Sequence, residues 1–133
     1  MASTPSPAGR PKILVVEDEE DLRRMLTKLL TTIGDVTPAV DGQDAHEQLV
    51  AGFVPDVIVT DLMMPRMDGL ALAQKLKHDP VLGRVPVVML TAKTSARDVI
   101  SGINAGARHY VTKPFKTEEL VGKVRKALAG RAK

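Results

Sequence analysis

The chain has 133 residues, 44% of them hydrophobic, with no cysteine and with Phe53, Tyr110 and Phe115 as its aromatics. That length carries one domain with a sizeable core and not two ordinary ones. Without cysteine there is no disulfide, thiolate zinc site or Cys nucleophile, which is compatible with a reducing cytoplasm, and so few aromatics leave no platform for stacking bases. The net charge is +3, but the last eleven residues hold five basic side chains and no acid, so the rest of the chain is slightly acidic and a nucleic-acid reading is disfavoured.

Residues 1–10, rich in Pro and small polar side chains, predict a disordered leader and not a signal peptide. No run is long enough for a membrane span. Short apolar runs then alternate with segments of helical period, the pattern of βα units around a parallel sheet. In chain order the expectation is a strand at Ile13–Val16, a helix near Asp21–Ile33, a strand at Val36–Val40, and a helix at Gln43–Ala51. A strand at Val57–Thr60 and a helix at Leu70–Lys77 follow, then a strand at Val87–Leu90, a helix at Ser95–Ala105, a strand at Tyr110–Thr112 and a helix at Thr117–Ala129. Gly34 and Gly106 stand where a left-handed residue would end a helix, and Asp41, Asp68 and Thr117 stand where an N-cap is wanted.

Pro38 cannot donate to a β-ladder, so the second strand belongs at a sheet edge. The flavodoxin-like order 2-1-3-4-5 makes it one. That order puts the switch point between strands 1 and 3, where open α/β sheets bind ligands beyond the carboxyl ends of their strands. Glu17 and Asp18 follow the first strand, and Asp61 follows the third.

Three converging carboxylates repel unless a cation sits among them, and an all-oxygen set suits a hard divalent ion such as Mg²⁺. Glu19, Glu20 and Asp21 are read instead as acids favoured by a helix N-terminus. Strand 4 ends in Thr91 and the stretch after strand 5 contains Lys113. A hydroxyl, a cation and a metal site round one carboxylate make a receptacle for a phosphoryl group, with the carboxylate able to act as nucleophile.

Together D-E-E at Asp18–Glu20, D-L-M-M-P-R-M-D-G at Asp61–Gly69, L-T-A at Leu90–Ala92 and Y-V-T-K-P-F at Tyr110–Phe115 resemble the receiver domains of two-component response regulators, chemotaxis-regulator-like. The resemblance covers residues 11–129, with 130–133 left as a basic tail or linker start. It implies a flavodoxin-like (βα)5 sandwich. Asp61 falls on the phosphoacceptor, Asp18 on the metal ligand, and Glu17 on its acidic partner acting through water. Met63 would lend its backbone carbonyl to Mg²⁺, for which Mn²⁺ can substitute, and Ala92 would lend its backbone to the phosphoryl group. Thr91 and Lys113 match the switch hydroxyl and the phosphoryl-binding lysine, and Tyr110 the aromatic switch. The Lys113–Pro114 bond is expected to be cis. Met63 and Lys93, two residues past Asp61 and Thr91, occupy the positions that tune phosphoryl lifetime.

The implied function is a phosphorelay module in the cytoplasm and not an enzyme. It would take its phosphoryl group from a sensor histidine kinase or a histidine phosphotransfer protein. It would then switch the face of strand 5 with helices Ser95–Ala105 and Thr117–Ala129, for an effector protein, an effector domain or a homodimer. Neither nucleic acid nor membrane is an expected partner, and the chain is either a stand-alone protein or the receiver part of a longer one. An aspartate-nucleophile phosphatase wants a second acid where Met63 stands, and a nucleotide-binding fold wants a Gly-rich turn where E-D-E-E-D stands. An unphosphorylated interaction module of the same fold is the alternative; it would normally have lost a site residue, and none is missing. His46, His78 and His109 are expected at or near the surface, and the methionines in packing or loops.

Overall fold

Branched apolar runs with burial on both faces form the central strands, because each is covered by helices above and below. The computed structural model describes residues 10–62, 67, 69–91 and 109–130. Its strands are β1 (Lys12–Val16), β2 (Asp35–Ala39), β3 (Val57–Asp61), β4 (Val87–Thr91) and β5 (His109–Thr112). Its helices are α1 (Glu20–Leu30), α2 (Gly42–Val50), α3 (Gly69–Lys77) and α4 (Thr117–Gly130), with a 3-10 turn at Leu82–Arg84. The sheet is parallel throughout, in the order β2-β1-β3-β4-β5. Pro38 pairs in register with Val15 on the outermost strand, as its missing N–H requires.

Two apolar layers flank the sheet. On one side Leu14, Val16, Ile58 and Met89 pack with Ala45 and Leu49 of α2 and Leu72, Ala73 and Leu76 of α3. On the other, Ile13, Val15, Val57, Val59, Val88 and Leu90 pack with Leu26 and Leu30 of α1 and Leu120, Val124 and Ala127 of α4. The alternation along each strand is the period-2 pleat, and each fully buried Leu or Ile contributes about 1.5–3 kcal/mol relative to exposure.

Asp41 caps α2: its Oδ1 accepts the Asp44 N–H at 2.8 Å, while Asp44 Oδ2 accepts the Val40 N–H at 2.9 Å. The other end of that helix closes through Gly52, whose φ of 115° is the left-handed conformation a glycine adopts without strain. Gly34 differs from expectation, for it is not left-handed. A Cβ there would meet Pro11 O at 2.6 Å and the Ile13 side chain at 2.8 Å, so closeness to β1, not φ, requires glycine. The α1 helix accordingly stops at Leu30, three residues early, in a turn through Thr31–Ile33.

Thr117 opens α4 as its first helical residue; the Leu120 N–H bonds to Lys116 O at 3.2 Å, which makes Lys116 the cap, and the Thr117 hydroxyl pairs with Glu118. Other boundaries shift by one residue, leaving Val40 exposed beyond β2. The expected helix Ser95–Ala105 and the expected roles of Gly106 and Asp68 lie outside the described residues.

Candidate functional site

The carboxyl ends of β1, β3 and β4 bring the site together. The Glu17 N–H bonds to Ala39 O at 3.1 Å, carrying the ladder one residue past β1, and α1 then begins after Glu19. The β3 strand ends on Asp61, in register with Leu90, and the next N–H, of Leu62, bonds to Leu90 O at 2.8 Å. Beyond β5 the Lys113 N–H bonds to Thr91 O at 2.7 Å, which sets Lys113 beside the end of β4. The Lys113–Pro114 bond is cis, as expected.

The side chains meet in the crevice between these ends. Lys113 Nζ lies 2.7 Å from Asp61 Oδ2 and 3.7 Å from Glu17 Oε1. One carboxylate oxygen from each of Glu17, Asp18 and Asp61 lies within 4.8 Å of the other two. Asp18 is exposed, Asp61 and Thr91 are 9% and 4% exposed, and Glu17 is 1% exposed. Glu17 Oε2 accepts the Glu19 N–H at 3.1 Å, whereas its buried Oε1 has no hydrogen-bond partner.

Burial is the main cause that pushes the Glu17 carboxyl up to about 7; the Asp61 charge and the Asp18 side chain add to it, against the Glu19 N–H and the Lys113 charge. Burial pulls the Lys113 ammonium down, but the hydrogen bond and charge of Asp61, then those of Glu17, outweigh it and hold its pKa above the ordinary lysine value. Lys113 therefore faces Asp61 and Glu17, and Asp18 completes the acidic group beside them. An orphaned buried carboxylate oxygen within an all-oxygen donor set fits a hard divalent cation.

The structure thus brings together Glu17, Asp18, Asp61 and Lys113, with Thr91 at the neighbouring strand end; Met63, Ala92 and Lys93 lie outside the described residues. Glu17 is the most buried acid of the set, a position that its place beside Asp18 in sequence does not disclose. Tyr110 is half-buried against the α2–α3 layer, and burial raises its phenol. His46 and His109 are half-exposed and His78 is exposed. Glu20 and Asp21 occupy the first turn of α1, where the dipole favours acids, and Glu20 pairs with Arg24 at 2.8 Å.

Three contributors escape the sequence reading. Arg23 Nη1 reaches back from α1 to Glu17 O at 3.0 Å and Asp18 O at 3.4 Å. At Gly42 a Cβ would meet Met67 O at 2.0 Å, and at Gly69 it would meet Asp61 O at 2.3 Å, so the start of α2 presses on the Met67 backbone and the start of α3 on the end of β3. The available signal was the D-G pair that occurs twice, at Asp41–Gly42 and Asp68–Gly69.

A doubly wound parallel sheet with an acidic pocket and a lysine at its switch point defines a flavodoxin-like α/β domain. A family model, the response regulator receiver domain, matches residues 13–125, and the chain belongs to that family. It is 42% identical over 119 residues to the DNA-binding response regulator MtrA of Mycolicibacterium smegmatis, covering 90% of this chain and 51% of that protein. The crystal structure of the signal receiver domain of a Syntrophus aciditrophicus signal transduction histidine kinase superposes with a TM-score of 0.81 at 35% identity, covering 90% of this chain and 91% of that one. The receiver domain of a Pseudomonas aeruginosa sensor histidine kinase, with a magnesium ion coordinated in its active site cleft, gives 0.81 at 27% identity over 90% of this chain and 98% of that one. The chain spans about half the length of curated relatives such as the dual master transcriptional regulator RpaA of Synechocystis, of which it covers 49%. Among the described residues no helix is long and apolar enough to cross a membrane.

Proposed function

We propose that this receiver domain, with limits near residues 11–129, accepts a phosphoryl group on Asp61 from a histidine kinase or histidine phosphotransfer protein. The observation that carries the proposal is the 2.7 Å contact of Lys113 Nζ with Asp61 Oδ2 inside a cluster of three carboxylates. An Asp61 oxygen forms the new O–P bond as the P–N bond of the donor phosphohistidine breaks and its imidazole leaves with the electron pair. Lys113, already beside the nucleophile, neutralises the phosphoryl oxygens as they arrive, and the Thr91 hydroxyl donates to one of them.

Asp18 and Asp61, Glu17 through water, and the backbone carbonyl of Met63 would hold Mg²⁺ or Mn²⁺, which supplies charge neutralisation for carboxylate and phosphoryl oxygens. A magnesium ion in the cleft of the Pseudomonas receiver domain supports this assignment. Output leaves through the face of β5 with α4 and the expected helix Ser95–Ala105, towards an effector or a second copy, with Thr91 and Tyr110 as the switch and the Ala92 backbone on the phosphoryl group.

The test is intact-mass measurement after incubation with acetyl phosphate and Mg²⁺. The wild-type protein gains one alkali-labile phosphoryl group, and Asp61→Asn or added chelator abolishes the gain. Equal labelling of Asp61→Asn refutes the assignment.

A further inference from the structure

The β1–α1 turn carries two of the three clustered acids; besides the Glu19 N–H on Glu17 Oε2 at 3.1 Å, it is braced by one side chain of the helix that follows. The first helical acceptor, Glu19 O, takes the Arg23 N–H at 2.9 Å. The carbonyls of Glu17 and Asp18 precede it and lie outside the helical ladder. Arg23 Nη1 turns back along α1 to them, at 3.0 Å and 3.4 Å. The same residue thus holds the turn by its main chain and by its guanidinium. Arg24, its neighbour, does neither, since its guanidinium pairs with Glu20 in solvent at 2.8 Å.

From these contacts we infer that Arg23 is a positioning residue for divalent-cation binding. By fixing the carbonyls of Glu17 and Asp18 it fixes where their carboxylates start, without touching the ion. The inference rests on the proposed Mg²⁺ role of the acidic cluster and deepens it. Charge and position act here with opposite sign. Removing a cation near an acidic site strengthens cation binding by Coulomb's law, whereas loosening a supporting contact weakens it, in metal sites typically by tenfold or more.

The experiment is isothermal titration of Mg²⁺ into the metal-free full chain, with wild type, Arg23→Gln, Arg23→Lys and Arg24→Gln compared. Urea melts in chelator confirm that each variant is folded at the titration temperature. The expected result is an Mg²⁺ Kd raised about tenfold in Arg23→Gln, and raised by less in Arg23→Lys, which keeps the charge but whose ammonium ends one bond short of the Nη1 position. Arg24→Gln, the matched loss of charge, binds as wild type or slightly tighter. An Mg²⁺ affinity in Arg23→Gln or Arg23→Lys equal to or tighter than wild type overturns the inference while leaving the function standing. Failure of the wild-type chain to take Mg²⁺ overturns both.

Discussion

Glu17 and Lys113 face each other across 3.7 Å in the crevice, too far for a hydrogen bond, while Lys113 gives its short contact to Asp61. Glu17 Oε1 is thereby buried without a hydrogen-bond partner. A carboxylate in that position is costly when ionised and receptive to a proton or a cation.

The pH dependence follows from that cost. Glu17 has a folded pKa of about 7 against an ordinary 4.5, raised chiefly by burial. Between those values the folded protein holds a proton that the unfolded chain has lost, so metal-free stability falls as pH rises through this window and levels off above it. The fall is up to about 3 kcal/mol. Urea melts in chelator at a series of pH values measure it, and Glu17→Gln flattens the profile. A wild-type stability that rises over the same window contradicts the assignment.

Removing Lys113 has the opposite requirement. Lys113→Met leaves two poorly solvated carboxylates without their cation, so the metal-free protein loses about 2–4 kcal/mol above pH 7. The loss shrinks near pH 5.5, where Glu17 is protonated. Denaturant melts at the two pH values check both halves; equal losses at both would mean that the lysine acts by packing.

Two glycines separate steric from conformational demands. Gly42→Ala drives a methyl into the Met67 backbone, with the carbonyl oxygen at 2.0 Å, and is expected to cost about 1–3 kcal/mol. Gly52→Ala meets nothing within 4 Å and pays only for its left-handed φ, about 1–2 kcal/mol. Mg²⁺ titration tells them apart: Gly42→Ala shifts the affinity because Met67 belongs to the β3–α3 connection, and Gly52→Ala leaves it unchanged.

The switch prediction concerns Tyr110, half-buried against the layer that contains Met89. On binding beryllofluoride and Mg²⁺, the Tyr110 ring resonances shift, and Thr91→Ala suppresses the shift. Proton NMR reads this directly from the single tyrosine of the chain. Unchanged Tyr110 resonances with the mimic bound mean that the signal leaves by another surface.

The strand order and the site's main carboxylates were legible because both are written locally. Pro38 marks the edge strand, and apolar runs ending in Glu17–Asp18 and Asp61 mark the switch point. What escaped depends on contacts between distant segments. Gly34 is shaped by Pro11 and Ile13 across the sheet edge, Gly42 by Met67, and neither contact has a local signature. Arg23 is similar: an arginine on the first turns of an acidic helix reads as an ordinary surface charge, and its reach back to Glu17 O exists only once the β1–α1 turn is formed. The 3-10 turn at Leu82–Arg84 follows Asp79, whose Oδ1 accepts the N–H groups of Val81 and Leu82 at 2.8 Å each, an Asx turn that the Asp79–Pro80 pair could have announced.

As the proposed phosphoacceptor, Asp61 is to become an acyl phosphate. Borohydride reduces an acyl phosphate to the alcohol, so protein treated with acetyl phosphate and Mg²⁺, reduced, digested and sequenced by tandem mass spectrometry carries homoserine wherever the phosphoryl group was. Homoserine is expected at position 61 and nowhere else, dependent on Mg²⁺ and reduced in Lys113→Met. Homoserine at Asp18 or another carboxylate, or none at position 61 under conditions where the intact mass shows phosphorylation, contradicts it.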